Sequence, residues 1–231
     1  MFTVLLALAM LGLVVAVPCQ GESPAVIEAD VQALLTLRAQ RPADQALLLR
    51  LSERYLDLGD ELTDDVKRRE AYEAGAAVAK RALELQEENA QAHFLYAANL
   101  GSAARTAGLV AGVTSVNEIK RHVRRALELR EHHAPSLHMM GMLLEELPWV
   151  LGGDGKAALE YLEAAVSADS DYLHARLDLA KAYLKRRDRE RAARHLTVLV
   201  DAGLRHPEGR DRRYVDEGRE LLEELNGRGK R

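Results

Sequence analysis

Ala126-Leu127-Glu128-Leu129, followed closely by Leu137-His138-Met139-Met140-Gly141, is one of three similar pairs of phrases along the chain. Residues 82–85 precede the related run at 92–97, and residues 165–168 precede the one at 175–180. An alanine-centred phrase that recurs before an apolar run is typical of stacked helical hairpins. Such hairpins form extended surfaces and carry no chemistry of their own, so the repeat predicts a binding protein.

The composition fits a folded, helical chain. Of the 231 residues, 48% are hydrophobic and 29% are charged, which is enough apolar material for a packed core. Aromatic residues make up only 4%, and the abundance of Ala and Leu favours helices over β-sandwiches. The net charge of −4 gives no field that would attract nucleic acid, and the single cysteine excludes an internal disulfide framework and any zinc site built from cysteines.

A tetratricopeptide register places four repeats. In units of about 34 residues, a large residue is followed by a small one in the first helix, and the second helix carries further small or apolar positions. The pattern fits repeats near 45–89, 90–133, 134–172 and 173–205. A helix over 24–40 precedes them, and a solubilising cap over 210–226 follows. We therefore predict an all-α solenoid of about four expanded tetratricopeptide hairpins with helical caps, occupying residues 22–231.

The repeats exceed the usual length, so the sequence predicts inserts between the two helices of a hairpin. These fall near 59–67, 101–114 and 148–153. Residues 115–118 (Ser-Val-Asn-Glu) resemble a capping box, which predicts that a helix restarts after the second insert. Asp154 and Asp188 are the predicted N-caps of later helices.

The N-terminus predicts export. Residues 2–17 are almost unbroken apolar sequence, shorter than the roughly 20 residues of a spanning helix. Residues 1–21 are therefore interpreted as a signal peptide or N-terminal anchor, which would place the protein in the periplasm or anchored on the outer side of a membrane. Cys19 is a lipidation candidate, although Pro18 stands where Gly or Ala normally precedes such a cysteine.

Two phrases resemble the T-component family of TRAP transporters: residues 96–101 (Tyr-Ala-Ala-Asn-Leu-Gly), and 146–154 with its Leu-Pro-x-x-Leu-Gly-Gly pattern. Shorter matches at 108–110 and 118–120 extend the similarity over roughly residues 40–205. The resemblance implies an exported, often lipid-anchored helical repeat protein that binds a periplasmic solute-binding protein and can form homo-oligomers. The residue before Cys19 departs from the family pattern.

The concave face of such a solenoid supplies the candidate binding residues, because the first helices of the hairpins line it. Phe94 and Met142 are expected either as apolar anchors of a groove or as core. Asn99 is expected either to line a cavity or to bond a neighbouring backbone group. The full candidate set is Phe94, Ala98, Asn99, His138, Met142, Glu145, Leu177 and Lys181, with Leu49, Glu53 and Leu184 also on this face.

The sequence predicts no catalytic residues, cofactor or metal site. His132, His133 and His138 have the wrong spacing for a helical metal pair. The glycines at 152–155 lack the spacing and the hydroxyl residue of a phosphate-binding loop.

The predicted function is a non-enzymatic protein–protein interaction scaffold of the cell envelope, to which the resemblance adds an accessory role in TRAP-type solute uptake. Its expected partner is a protein and not nucleic acid, and it is expected to meet the membrane only through the N-terminal segment. The alternatives are a small-molecule or lipid carrier and an envelope assembly scaffold unrelated to transport.

Overall fold

A computed structural model describes residues 22–205 and 211–228 of the chain. These residues form ten α-helices and one short 3₁₀ turn, with no strand among them. The helices are α1 (Pro24–Gln40), α2 (Gln45–Glu61), α3 (Asp65–Leu85), α4 (Ala90–Ala107), α5 (Leu109–Leu129), α6 (Ala134–Glu146), α7 (Gly155–Ala168), α8 (Leu173–Lys185), α9 (Arg189–Arg205) and α10 (Arg212–Arg228), and the 3₁₀ turn is Trp149–Leu151.

Consecutive helices pack in pairs, and the pairs stack. The hairpins are α2/α3, α4/α5, α6/α7 and α8/α9, with α1 packed on α2 and α10 packed on α8 and α9. The first helices of successive hairpins also contact each other, so α2, α4, α6 and α8 form one layer. This arrangement confirms the predicted all-α solenoid.

The helix starts coincide with the repeat starts read from the sequence, and short polar side chains cap several of them. The Asp44 carboxylate accepts from the Leu47 amide, and Asn89 caps α4 in the same way. Asp154 accepts from two amides of α7, and Asp188 accepts from the Arg191 amide at 3.0 Å. Each cap satisfies backbone donors that the first turn leaves without a partner.

The prediction that a helix restarts at Ser115–Glu118 is wrong. Helix α4 continues to Ala107, and α5 begins at Leu109, so residues 115–118 lie inside a continuous helix. Gly108 makes this possible because its φ of 103° reverses the chain within one residue. The second insert therefore lengthens both arms of a hairpin instead of forming a loop.

The N-terminal predictions fall on residues 1–21, outside the described residues, so export and the lipidation of Cys19 stay predictions. Within 22–205 and 211–228, no helix has both the length and the apolar character to span a bilayer.

Candidate functional site

A concave groove of about 350 Å³ runs along the inner helices. Four helices and the segment before α8 contribute to it, and the first turn of α10 closes one side. The lining residues are Glu53, Leu56, Asp57, Asp60, Gln91, Phe94, Leu95, Pro135, Tyr172, His174, Asp211, Arg213 and Tyr214.

Helix α10 packs on α8 and α9, and a side chain of its first turn reaches the end of α2. Arg213 lies 3.6 Å from the carboxylates of Asp60 and Glu61, at the end of α2. Val215 is buried against the apolar residues of α8 and α9, so the same helix also covers the open end of the repeat stack. The sequence predicted a solubilising cap, and the contact with α2 adds a wall to the groove.

The groove combines aromatic rings with carboxylates. Phe94 is half-buried and meets the His133 ring edge-on at 5.6 Å between centroids. Glu53 is exposed and has no ion-pair partner within the described residues. Burial raises the pKa of Tyr172 and of Tyr214, so both phenols are neutral at ordinary pH. Such a lining suits a segment with one apolar anchor and nearby positive charge.

The eight predicted site residues do not form one site. Phe94 lies in the groove, and Ala98 is half-buried on the same helix. Leu177 is only 1% exposed and belongs to the core beside α10, so the prediction that it lines the concave surface is wrong. The physical reason is that α10 covers this end of the inner layer.

Asn99 lies between the first two hairpins and has no exposed surface. Its Nδ2 donates to the Leu95 carbonyl at 2.9 Å and to Ser52 Oγ at 3.2 Å. Ser52 Oγ in turn donates to the Gly75 carbonyl at 2.9 Å. Asn99 therefore joins α2, α3 and α4 and contacts no groove, which corrects its place among the binding candidates.

The charged candidates Glu145 and Lys181 are held in ion pairs. Glu145 contacts Lys185 at 2.8 Å and Arg186 at 2.6 Å, while Lys181 contacts Glu217 of α10 at 2.7 Å. Hydrogen bonds and charge from Lys185 and Arg186 outweigh burial and hold the pKa of Glu145 below its ordinary value. These pairs fix helix positions and leave less charge available to a partner.

His138 is buried and faces α8. Its Nε2 lies 2.8 Å from Asp178 Oδ2, and the same oxygen lies 3.2 Å from Nε2 of His174. Burial opposes the ionisation of Asp178, but hydrogen bonds from the two imidazoles hold its pKa well below the ordinary range. The cluster considered in the sequence analysis (His132, His133 and His138) does not form this arrangement, because His132 is exposed.

Met142 lines a second cavity, of about 420 Å³, between α4, α5 and α6. The long arms of the second hairpin form one wall, and Pro148 and Leu151 form the rim. Trp149 in the adjoining 3₁₀ turn is 84% exposed. Lys120 holds this turn by donating to the carbonyl groups of Leu151 and Gly152 at 3.1 Å. The feature of the sequence that could have indicated this turn is a tryptophan that stands between Pro148 and two glycines in an insert.

Because His133 is buried, we expect the fold to lose stability in mild acid. Burial lowers the pKa of this side chain to about 4 from an unfolded value near 6.5. The unfolded chain binds the proton more readily, so the free energy of unfolding falls as pH decreases from about 6.5 to 4. We expect His133→Gln to reduce the loss between pH 7 and pH 5 by about 1–2 kcal/mol, measured by urea unfolding. His132→Gln, on the exposed neighbour, is the control, and an unchanged loss in His133→Gln would contradict the prediction.

The chain matches two protein families and several individual proteins. The family described as Regulator of microtubule dynamics protein 1-3 matches residues 26–147, and a tetratricopeptide repeat family matches 151–210. Regulator of microtubule dynamics protein 1 of Bos taurus is 32% identical over 197 residues, covering 78% of this chain and 61% of the relative. The human protein of that name is 30% identical, covering 69% of this chain and 55% of the relative. The chain thus spans less than two thirds of the length of these relatives.

The fold has solved counterparts. A crystal structure of a thermophilic tetratricopeptide-repeat protein from Thermus thermophilus matches with a TM-score of 0.67 and 15% identity, covering 86% of this chain and 91% of the other. At that identity the match supports the fold alone. The relatives are regulators of microtubule dynamics and not T-components, so the transporter resemblance finds no support, and neither does the expected solute-binding partner.

Proposed function

This chain belongs to the Regulator of microtubule dynamics protein 1-3 family, and from that premise we propose that it is a non-enzymatic scaffold whose concave groove binds an extended segment of a protein partner. The tetratricopeptide architecture supports the general class, because stacked hairpins present a preformed surface that a peptide occupies without refolding the scaffold. The lining of the groove supports the finer proposal.

The observation that carries the proposal is that Phe94 and Glu53 line the same groove. Phe94 is half-buried, so its ring is fixed by neighbours and still offers an apolar face. Glu53, on the adjacent inner helix, is exposed and free to meet a cation. A half-buried aromatic ring and an exposed carboxylate in one groove fit a segment that combines an apolar residue with Lys or Arg.

Tubulin is the first candidate source of such a segment, since the relatives are named for the regulation of microtubule dynamics. The test is the affinity of the full-length protein for tubulin and for peptides that combine Lys or Arg with one aromatic residue. We expect Phe94→Ala to weaken binding by about 10-fold or more, because it removes the apolar anchor. Glu53→Lys should also weaken binding, and more strongly at low salt, because it places a lysine against the Lys or Arg of the bound segment.

Glu70→Lys is the matched control, since Glu70 is exposed on the outer helix α3 and the change of charge is the same. This variant should bind as the wild type does. Absence of binding to every probe, or equal binding by wild type, Phe94→Ala and Glu53→Lys at unchanged stability, would contradict the proposal.

A second function, carriage of an apolar small molecule, is favoured by the cavity beside Met142. Met139, Met142 and Leu143 line it, and Arg105 and Glu146 are its charged lining residues. An apolar cavity with few polar groups is typical of ligand sites. Native mass spectrometry of the purified full-length protein distinguishes the two functions: a ligand retained by Phe94→Ala and lost from Met142→Trp, which fills the cavity, would favour carriage.

A further inference from the structure

His138, His174 and Asp178 bring two imidazoles and one carboxylate to a single point. His138 comes from α6, while His174 and Asp178 lie one turn apart on α8. One ligand atom from each residue lies within 4.8 Å of the others. Two histidine nitrogens and a carboxylate oxygen are a donor set that zinc takes in proteins.

We propose that these three side chains bind a divalent metal ion, with Zn²⁺ as the best match, through Nε2 of each histidine and Oδ2 of Asp178. The inference does not depend on the proposed partner. It rests on the distances, on the support behind each ligand and on a path by which the ion can enter.

Two of the three separations between the ligand atoms fit zinc after a small opening, and the third is at most 4.8 Å. Tetrahedral zinc with bonds of about 2.1 Å separates its ligand atoms by about 3.4 Å. Asp178 Oδ2 lies 3.2 Å from His174 Nε2 and 2.8 Å from His138 Nε2. The separation from His174 needs almost no change, and the separation from His138 needs about 0.6 Å, which rotation of the Asp178 carboxylate can supply.

Surrounding groups hold the ligands in place. The Tyr172 hydroxyl lies 3.2 Å from Nδ1 of His138, so it can accept the Nδ1–H and leave the Nε2 lone pair for the metal. The His174 ring stacks on Tyr214 of α10, with 4.2 Å between centroids and 9° between planes. Lys181 lies 3.7 Å from Asp178 Oδ1, the carboxylate oxygen that does not face the histidines. Metal-binding histidines in proteins commonly have a hydrogen-bond partner for the second ring nitrogen, as Tyr172 is for His138.

The site is open on one side. His138 and Asp178 are buried, whereas the His174 side chain is 37% exposed and lines the concave groove together with Tyr172. An ion can therefore enter from the groove, and its fourth coordination position would face the groove and accept a water molecule.

The experiment is competition for Zn²⁺ between the full-length protein and a chromophoric chelator. We expect one zinc per chain at this site, and a rise in the melting temperature with added Zn²⁺. His174→Gln should weaken zinc binding by more than about 10-fold, because it removes one ligand. The fold should tolerate this substitution, because the position is partly exposed. His132→Gln, at an exposed histidine outside the cluster, should bind zinc as the wild type does.

Co²⁺ gives a second readout, since a tetrahedral site with two imidazoles produces visible absorption that His174→Gln should lose. Zinc affinity unchanged in His174→Gln would overturn the proposal. So would the absence of zinc binding by the wild type, which would leave Asp178 as a hydrogen-bond acceptor between two histidines.

Discussion

Gly75→Ala is expected to lower the free energy of unfolding by about 2–4 kcal/mol. A Cβ at this position would lie 2.1 Å from Asn99 Oδ1 and 2.6 Å from its Cγ. The Asn99 side chain cannot withdraw without breaking its hydrogen bonds to Ser52 Oγ and the Leu95 carbonyl. The cost of overpacking and of lost buried hydrogen bonds exceeds the gain of about 1 kcal/mol that alanine brings to a helix. Urea unfolding of the full-length protein measures it.

Gly101→Ala is the matched control, because it lies in the neighbouring helix α4 with room for a methyl group. The added Cβ would meet only Met139 Cε at 3.5 Å and Ile119 Cδ1 at 3.6 Å. This variant should be stabilised by about 0.5–1 kcal/mol. The double variant Gly75→Ala/Asn99→Ala should lose at least about 1 kcal/mol less unfolding free energy than the sum of the losses in the two single variants. Additive effects would show that the two side chains do not compete for space.

Leu162→Ala should cost about 3–4 kcal/mol. Leu162 has no exposed surface and fills the space beside Gly141, whose added Cβ would lie 2.8 Å from Leu162 Cγ. Truncation leaves a cavity between α6 and α7 that the rigid hairpin closes only in part. The same urea titration measures it.

Val198→Ala in α9 serves as the surface comparison, because Val198 is 43% exposed. Its effect should stay within about 0.5 kcal/mol. A loss below about 1 kcal/mol in Leu162→Ala would contradict the close packing assigned to this hairpin.

The fold could be predicted from the sequence because its main contacts are local. The small residue at Gly141 and the large one at Leu162 follow from the tetratricopeptide register, and the structure brings them together. The second insert was predicted wrongly at Gly108. The composition suggested a loop there, whereas a single glycine with a φ of 103° joins α4 to α5. Helix ends that depend on a single backbone angle are poorly marked in sequence.

The site was less predictable because it depends on contacts between distant parts of the chain. The i, i+4 spacing of His174 and Asp178 is visible in the sequence, but nothing local shows that His138 faces them from α6. Likewise, the register places Leu177 on the concave face, and its packing with residues of α9 and α10 buries it. The contact of Arg213 with Asp60 of α2 also joins distant parts of the chain, and no single repeat specifies it.

The most direct measurement is site-specific photocrosslinking in the full-length protein, with a photoreactive residue placed at position 53 in the groove or at position 70 on the outer helix α3. With tubulin or the basic-aromatic peptides as bait, groove binding predicts a crosslinked product from position 53 and none from position 70. Phe94→Ala should remove that product. Crosslinking from position 70 alone, or equal crosslinking from both positions, would contradict binding in the concave groove.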